Sequence, residues 1–302
     1  MNRIILCGLG AVGLTFAVKF AQKCNSFSVL VDEGRLERYK NNPPIFNGIP
    51  QELDYILPFQ KFDADLIIIA TKASGLDSAI ENIKNFVSEK TRIISLINGI
   101  SSEEKISQVY PQARVLKTYF IGHSAVRDGN NVTQDGVGEI VTEKDEVLQK
   151  IFELSGIRYS VAEDINYSLW LKYVFNIFSN QTSAILGMTF GEMKKNKEFI
   201  AFAKKIVNEI KPIAKAYGVN NTEKLEADAL NSLNKMCDEG KTSMLQDILS
   251  FRKTEVEIFS EEIIKLGEKY AIPTPYNKVL YDLIKIKEEQ NEHSIHTGQG
   301  RK

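Results

Sequence analysis

Close to its N-terminus the chain contains the stretch Arg3-Ile4-Ile5-Leu6-Cys7-Gly8-Leu9-Gly10-Ala11-Val12-Gly13. Residues 3–6 form a short apolar run of the kind that a buried parallel strand shows. A turn with three glycines follows at once, and residues 14–24 then have the apolar spacing of a helix. The order of strand, glycine turn and helix predicts the opening of a doubly wound α/β domain.

The glycines have the spacing Gly8-x-Gly10-x-x-Gly13, which is typical of a dinucleotide-binding turn. Gly8 permits the tight turn, Gly10 lets the backbone approach a pyrophosphate, and Gly13 lets the helix pack closely on the strand. The helix N-terminus attracts the phosphate charge. We therefore predict that the turn binds a dinucleotide through Gly8, Leu9, Gly10, Ala11, Val12 and Gly13. The alternative is a glycine-rich turn without a ligand.

A second short apolar run, residues 28–31, ends at Asp32, about twenty residues beyond the last glycine. An acid at this position accepts from the ribose 2′-hydroxyl and repels a 2′-phosphate, which favours NADH over NADPH. Against this preference, the cations Arg35 and Arg38 follow and could reach a phosphate. The other interpretation of Asp32 is an N-cap for the next helix.

The rest of the chain divides into two parts with different sequence patterns, which predict two domains. Apolar runs typical of buried strands occupy residues 66–70, 93–96 and 115–121, with a helical stretch at 76–87 and a hairpin turn at 128–131. Long helices are predicted after residue 164, at about 165–186, 196–217, 222–237, 243–270 and 276–290. We predict an N-terminal Rossmann-type doubly wound sheet (1–163), a C-terminal all-α domain (164–290) and a mobile tail (291–302).

Composition limits the classes of protein that fit. The 302 residues are 43% hydrophobic and 25% charged, which supplies enough apolar material for two cores. The formal net charge of -1 gives no overall attraction for nucleic acid or anionic membranes. No apolar run reaches the ~18 residues of a membrane span. Three scattered cysteines argue against a zinc site or disulfides, so we expect a cytoplasmic protein without a metal.

The predicted helix at 165–186 carries one polar stripe. Lys172, Asn176 and Asn180 recur every four residues, so they share one helix face. The remaining positions around them are Leu, Trp, Tyr, Val, Phe and Ile, and a helix that is apolar nearly all round is buried. A buried ammonium and buried amides are costly unless protein groups or a ligand satisfy them. The alternative is a solvated stripe on a surface helix.

Other polar residues stand where ligands commonly bind. Lys72 and Asn98 follow predicted strands, and the carboxyl ends of strands are the ligand-binding edge of open α/β sheets. Ser243 would begin the predicted helix at 243–270, which also carries Glu255. A hydroxyl and free N–H groups at a helix N-terminus suit a carboxylate. The alternative for Ser243 is a plain capping serine.

Taken together, these residues resemble the ketopantoate reductase (2-dehydropantoate 2-reductase) family over essentially the whole chain. The matching pieces are Gly8–Gly13, Lys72, Asn98-Gly99, Gly122 with Ala125, Trp170-x-Lys172-x-x-x-Asn176-x-x-x-Asn180, and Ser243-Met244-Leu245-Gln246-Asp247 with Glu255. The family reduces the α-keto acid ketopantoate to pantoate, on the route to pantothenate and coenzyme A, usually with NADPH. The resemblance implies an NAD(P)-dependent oxidoreductase with a small α-keto acid as its substrate. Long amphipathic helices in the second half could pair between subunits, as in a homodimer.

The resemblance also implies roles in catalysis. Lys172 would be the general acid that protonates the ketone oxygen as hydride arrives, and its charge would stabilise the developing alkoxide. Glu255 would orient Lys172 or the ribose and amide of the cofactor. Asn176 and Asn180 would hold substrate oxygens, and Ser243 would hold the substrate carboxylate.

On the cofactor side, the resemblance places Asn98 and Lys72 beside the nicotinamide end. Asn98 would contact substrate as well as cofactor, and Ala125 would contact the cofactor through its backbone.

Three positions depart from the family's pattern. Characterised members often have an asparagine where this chain has Phe190, before a Gly-Glu pair, and another where it has Gly240, three residues before the serine. Both positions bear on the substrate's hydroxyl and carboxylate, so a reductase of another α-keto acid is an alternative. NADPH-preferring members tend to have a basic residue in place of Asp32. A third hypothesis is a dinucleotide sensor without turnover, which the Lys172 and Glu255 pair argues against.

Overall fold

The structure, a computed structural model, describes residues 3–296, apart from the side chains of His123, Ser124, Asp135, Ser294, Ile295 and His296. These residues divide into two compact units, the first ending at Ile165 and the second beginning at Asn166. Within the described range, no helix is both long enough and apolar enough to cross a membrane.

The first unit is built on a six-stranded parallel sheet. Its strands are β1 (Ile4–Cys7), β2 (Phe27–Leu30), β5 (Tyr55–Ile56), β6 (Leu66–Ile69), β7 (Arg92–Ser95) and β8 (Arg114–Leu116), in the order β5-β2-β1-β6-β7-β8. Strands β1 and β6 are buried along their whole length. Burial on both faces explains why these strands are unbroken apolar runs in the sequence.

Helices cover both faces of this sheet. They are α1 (Ala11–Lys23), α2 (Glu33–Asn41), α3 (Leu76–Ile83), α4 (Ser102–Val109) and α5 (Glu146–Ser155). Ile4 and Leu6 of β1 belong to the core that α1 covers, whereas Ile5 and Cys7 belong to the core that α3 covers. Successive strand residues point to opposite faces, so the sheet is doubly wound, as predicted.

A second sheet of the same unit pairs β11-β10-β3-β4, with β9 beside β10. Its strands are β3 (Ile45–Phe46), β4 (Ile49–Pro50), β9 (Thr118–Asp128), β10 (Asn131–Thr142) and β11 (Tyr159–Val161). The hairpin turn predicted at 128–131 is confirmed, because Asp128 pairs with Asn131. The single strand predicted at 115–121 is wrong: β8 ends at Leu116 and β9 begins at Thr118, in the other sheet.

The second unit is helical. Its helices are α6 (Ile165–Leu186), α7 (Phe190–Lys195), α8 (Lys197–Tyr217), α9 (Leu225–Asn234), α10 (Ser243–Leu249), α11 (Ser260–Tyr270) and α12 (Pro275–His296). Helix α6 has the predicted bounds, and α8 begins one residue later than predicted. Helix α7 was not predicted; a capping box formed by Thr189 and Glu192 begins it. The last helix continues past the predicted end at 290, and residues 297–302 of the predicted tail lie outside the described residues.

The helix predicted at 243–270 is wrong, because the chain breaks it into α10 and α11. Phe251 has φ +53°, in the left-handed region that ends helices. The backbone N–H of Arg252 then donates to the carbonyl of Asp247 at 2.8 Å, and the Arg252 Nε donates to the Asp247 carboxylate at 2.8 Å. Glu255 therefore lies in the connection between the two helices and not on the helix that Ser243 begins.

Candidate active site

The structure explains the three glycines of the turn after β1 in different ways. Gly8 has φ +101°, a backbone conformation that residues with a side chain rarely adopt. A Cβ on Gly13 would lie 1.9 Å from the carbonyl oxygen of Gly8, so the close packing of α1 requires glycine there. For a Cβ on Gly10, the nearest atom among the described residues, chain neighbours aside, would be the carbonyl oxygen of Ala70, at 4.0 Å. The fold itself thus explains Gly8 and Gly13 but not Gly10.

The turn leads directly into α1, whose N-cap is Gly10. Because glycine has no side chain, this helix begins without a side-chain cap, and its first N–H groups can serve an anion. Leu9 is buried, and its carbonyl accepts a 2.9 Å hydrogen bond from Nη1 of Arg127 on β9. Sequence reasoning missed Arg127, because only the pairing of the long hairpin places it there. Ala125, two residues earlier on β9, is half-buried.

Asp32 is the N-cap of α2. Its Oδ1 accepts from the backbone N–H of Arg35 at 2.7 Å, and its Oδ2 lies 3.4 Å from the Arg35 Nε. The capping interpretation is therefore confirmed. The Asp32 side chain is still 54% exposed, so capping does not prevent a contact with a ligand.

Lys72 and Asn98 follow β6 and β7, which are hydrogen-bonded neighbours in the sheet. Strand β6 also pairs with β1, which leads into the glycine turn. The three strand ends therefore meet at one edge of the sheet, the edge at which open α/β sheets bind ligands. Lys72 is exposed, whereas Asn98 is half-buried.

The polar stripe lies on α6 of the second unit. Lys172 and Asn176 are half-buried and Asn180 is buried, whereas Trp170 and Tyr173 are fully buried. The stripe is therefore not a solvated surface feature at its Asn180 end.

The connection that carries Glu255 is attached to α6 beside Lys172. The hydroxyl of Tyr173, the residue after Lys172, lies 3.0 Å from the carbonyl oxygens of both Ile258 and Phe259. A phenol donates one hydrogen, so one of these carbonyls, or both in turn, accepts it. This contact ties the segment that follows Glu255 to the helix that carries Lys172.

Asn180 and Ser243 are in direct contact. The Asn180 Oδ1 accepts from the Ser243 hydroxyl at 3.3 Å and from the Met244 N–H at 3.4 Å. The N-cap of α10 is Thr242, whose hydroxyl accepts from the N–H of Leu245 at 3.2 Å. The alternative of a plain capping serine is therefore wrong for Ser243. The structure unites Asn180 with Ser243, a pairing that their separation in sequence concealed.

The two departures at Phe190 and Gly240 form one packing feature. The Phe190 N–H donates to the Gly240 carbonyl at 3.0 Å, and a Cβ on Gly240 would lie 3.0 Å from the Phe190 ring. The buried Phe190 ring also stacks on Phe175 of α6, with centroids 6.2 Å apart and an interplanar angle of 21°. The Phe190 ring therefore packs in the space that the absence of a side chain at Gly240 leaves open.

The two units define a class of protein. A doubly wound parallel sheet with a glycine turn after its first strand, followed by a helical unit, is the architecture of many dinucleotide-dependent oxidoreductases. The family model of ketopantoate reductase PanE/ApbA matches residues 4–145, and that of the PanE/ApbA C-terminal region matches residues 164–288. The chain belongs to the ketopantoate reductase family.

The known proteins that are similar to this chain match nearly its whole length. The 2-dehydropantoate 2-reductase of Streptococcus pyogenes serotype M3 is 26% identical over 301 residues, covering 94% of this chain and 97% of that protein. A ternary structure of D-mandelate dehydrogenase with NADH and anilino(oxo)acetate has a TM-score of 0.83 at 24% identity, covering 96% and 99%. A dimeric ketopantoate reductase from Staphylococcus aureus has a TM-score of 0.78 at 21% identity, covering 96% and 99%. The predicted resemblance and fold class are confirmed.

Proposed function

We propose that this protein is an NAD(P)H-dependent 2-dehydropantoate 2-reductase, which reduces the ketone of ketopantoate to the hydroxyl of pantoate in pantothenate and coenzyme A biosynthesis. Family membership across both units supports this class of reaction. One structural observation carries the assignment of the site: Lys172, Asn176 and Asn180 share a face of a largely buried helix, and Asn180 is bonded to Ser243. Charged and polar groups retained on a buried helix are typical of a ligand site.

The dinucleotide is proposed to bind at the carboxyl edge of the parallel sheet. Gly10 supports this site, because any residue can adopt its φ of -72° and ψ of -169°. In the described part of the chain, the nearest atom to a Cβ there, chain neighbours aside, lies at 4.0 Å. A pyrophosphate against the backbone explains the glycine. The cofactor contacts would come from Gly8, Leu9, Gly10, Ala11, Val12, Gly13, Asp32, Lys72, Asn98, Ala125 and Glu255.

We favour NADH over NADPH. Asp32 follows β2 by two residues, and its carboxylate already engages Arg35, one of the two cations that could otherwise reach a 2′-phosphate. The carboxylate would repel such a phosphate and accept from a ribose hydroxyl.

The bound reduced nicotinamide supplies the hydride that forms the new C–H bond. Lys172 holds a proton on Nζ and donates it to the ketone oxygen, so the product is a neutral hydroxyl and the lysine is left as an amine. Before the transfer, its ammonium stabilises the negative charge that grows on that oxygen. Asn176 and Asn180 position substrate oxygens, and Glu255 orients Lys172 or the cofactor. On substrate binding, Ser243 turns its single hydroxyl hydrogen from the Asn180 amide oxygen to the substrate carboxylate.

The test is ketopantoate-dependent oxidation of NADH and of NADPH, followed by absorbance. We expect Lys172→Ala to lower kcat by about 10²-fold or more, the usual scale of acid–base catalysis. Lys172→Arg keeps the charge but holds its proton too tightly to donate it, so it should also be slow. The exposed Lys197 of α8 is the control, and Lys197→Ala should match the wild type. Unchanged turnover of Lys172→Ala would remove this residue from the mechanism.

A second candidate function is reduction of an α-keto acid with an apolar side chain. The observation that favours it is the packing of Phe190 on Gly240 and Phe175, which puts an aromatic ring and a bare backbone where related proteins often have two amides. The similar D-mandelate dehydrogenase was solved with NADH and anilino(oxo)acetate, a molecule that contains an aromatic ring. A ring cannot hydrogen-bond the terminal hydroxyl of ketopantoate.

One matched pair of substrates separates the two functions. The compound 3,3-dimethyl-2-oxobutanoate is ketopantoate without its terminal hydroxyl. A site built to bond that hydroxyl rejects the analogue by roughly 10⁴-fold, whereas an apolar site prefers it. A higher kcat/KM for ketopantoate would support the first function, and a higher kcat/KM for the analogue or for benzoylformate would support the second. No dinucleotide oxidation with any keto acid, despite dinucleotide binding, would favour a sensor.

We also propose a homodimer in a reducing, cytoplasmic environment. The dimeric S. aureus enzyme with a similar fold supports the dimer, and the free thiols of Cys7, Cys24 and Cys237 fit the environment. Light scattering of the purified protein measures its mass, and a monomer at micromolar concentration would contradict the assembly.

A further inference from the structure

A buried carboxylate of α12 holds the backbone on both sides of Glu255. Glu288 is 8% exposed, and its Oε1 accepts from the N–H and from the hydroxyl of Thr254, each at 2.7 Å. The Thr254 oxygen in turn accepts from the N–H of Val256 at 3.3 Å. The N–H groups before and after Glu255 are thus fixed by one carboxylate, directly or through one hydroxyl.

The charge of Glu288 is balanced where it lies. Its Oε2 is 2.6 Å from the Lys285 Nζ, which also lies 3.4 Å from the Glu257 Oε1. Burial by itself raises the pKa of Glu288, but hydrogen bonds from Lys285 and Thr254 outweigh burial and hold this pKa below its usual value. The carboxylate is therefore ionised at neutral pH and acts as an acceptor only.

The connection between α10 and α11 is also held on either side of Thr254, and at its far end the Tyr173 hydroxyl contacts the carbonyls of Ile258 and Phe259. It begins with the left-handed Phe251 and with Arg252, which folds back onto Asp247. The α-helical bonding stops there, and a short 3₁₀ turn at Val256–Ile258 follows, with Glu255 as its N-cap. The bonds of Thr254 to Glu288 hold the residue immediately before Glu255, between the Arg252 turn and this 3₁₀ turn.

We propose that Glu288, acting through Thr254, is a positioning residue for Glu255. It fixes the short piece of backbone from which Glu255 orients the general acid or the cofactor. Glu288 itself touches no reacting atom. The inference rests on the proposed function, because it takes Glu255 to be part of the site.

The test uses Thr254→Val, which removes the hydroxyl but keeps the shape and the N–H. We expect it to lower kcat/KM about tenfold or more, since small displacements of catalytic groups are costly. Thr254→Ser restores the hydroxyl and should restore most of the activity. The matched control is Ser260→Ala, which removes another buried hydroxyl bonded to α12, at 2.9 Å from the Asn277 Oδ1. That variant should lose stability but keep its turnover.

Two readouts separate positioning from simple loss of stability. If Thr254 acts through Glu255, Thr254→Val combined with Glu255→Gln should be no slower than Glu255→Gln alone. Amide hydrogen exchange over residues 251–258 should be faster in Thr254→Val and unchanged in Thr254→Ser. Glu288→Gln, which loses the charge but keeps an acceptor, provides a second variant should Thr254→Val fail to fold.

These experiments distinguish failure of the positioning inference from failure of the proposed function. If Glu255→Gln slows turnover but its effect multiplies with that of Thr254→Val, Thr254 acts independently and the positioning inference is overturned alone. If Glu255→Gln has full activity, the proposed role of Glu255 is overturned and the inference falls with it. A Thr254→Val enzyme with wild-type kcat/KM and wild-type exchange would also overturn the inference.

Discussion

Asn180 on α6 and Ser243 on α10, 63 positions apart in the chain, are joined by a 3.3 Å hydrogen bond from the serine hydroxyl to the amide oxygen. Thr242 caps α10, so the Ser243 hydroxyl is not engaged as a cap. The same amide oxygen accepts from the N–H of Met244. The orientation of Ser243 therefore depends on Asn180, and the two proposed substrate contacts form one unit.

This unit predicts coupled effects in a double-mutant cycle. Asn180→Ala and Ser243→Ala should each raise KM for the keto acid, because each removes a proposed substrate contact and releases the other. The double variant should be less impaired than the product of the single effects, with a coupling of about 1 kcal/mol. Steady-state kinetics of the four proteins measure the coupling. Effects that simply multiply would show that the two contacts act independently.

The glycine turn offers a prediction that separates folding from binding. Gly13→Ala should destabilise the protein severely, because its Cβ would lie 1.9 Å from the Gly8 carbonyl oxygen. Gly10→Ala should change stability by about 1 kcal/mol at most, because its Cβ would meet no atom of the described residues closer than 4.0 Å and the main loss is that alanine is a poorer N-cap than glycine. It should nevertheless weaken dinucleotide binding about tenfold or more, a loss of ~1.4 kcal/mol.

Thermal unfolding and fluorescence titration with NADH measure the two effects for each variant. A Gly10→Ala protein that binds NADH as tightly as the wild type would show that the cofactor backbone does not approach this residue. A stable Gly13→Ala protein would contradict the packing argument.

Cofactor preference depends on the charge of Asp32, which can be removed without removing the cap. Asp32→Asn keeps an N-cap side chain for the Arg35 N–H, whereas Asp32→Ala loses it at a cost of about 1 kcal/mol. Both variants should raise kcat/KM for NADPH relative to NADH, because the repulsion of a 2′-phosphate is gone. Only Asp32→Ala should lower the thermal midpoint. An unchanged cofactor ratio in both variants would remove the basis for the NADH preference.

Local signals in the sequence were enough to predict the first strand, the turn and the helix of the Rossmann-type unit. The bounds of α6 were also predictable, since no glycine or proline interrupts the chain from Ile165 to Leu186 and Gly187 follows at once. In both cases the burial pattern and the local conformation agree with one another, so neighbouring residues carried the information.

Features that depend on distant partners were not predictable. The break after α10 lies in a stretch with good helical spacing, and it follows from Phe251 in a left-handed conformation and from Thr254 bonded to Glu288. The contact of Arg127 with Leu9 likewise depends on how a long hairpin lies. Propensity describes the chain near a residue, whereas these features are decided by tertiary contacts.

Glu103, in the first turn of α4, predicts a pH dependence of stability. The residue is 7% exposed, and its carboxyl group accepts from the Ser102 hydroxyl at 2.9 Å. Burial raises its pKa from 4.5 to about 7, although hydrogen bonds from Ser102 and the backbone and the charge of Lys117 oppose this shift. Because the pKa is higher in the folded protein than in the unfolded chain, folding favours the protonated form.

The stabilising contribution of Glu103 is therefore complete below about pH 4.5 and is lost as the pH rises through about 7. Above that pH the buried carboxylate costs on the order of 3 kcal/mol relative to its protonated form.

The variant Glu103→Gln tests this dependence, because its side chain cannot ionise. Its free energy of unfolding should exceed that of the wild type by an amount that grows between pH 5 and pH 8. Urea denaturation at several pH values measures it, with Glu104→Gln, at the exposed neighbour on α4, as the control. That control should show a difference from the wild type that does not vary with pH. A constant difference for Glu103→Gln as well would mean that the carboxyl group does not titrate in this range, and that Ser102 and Lys117 compensate its burial.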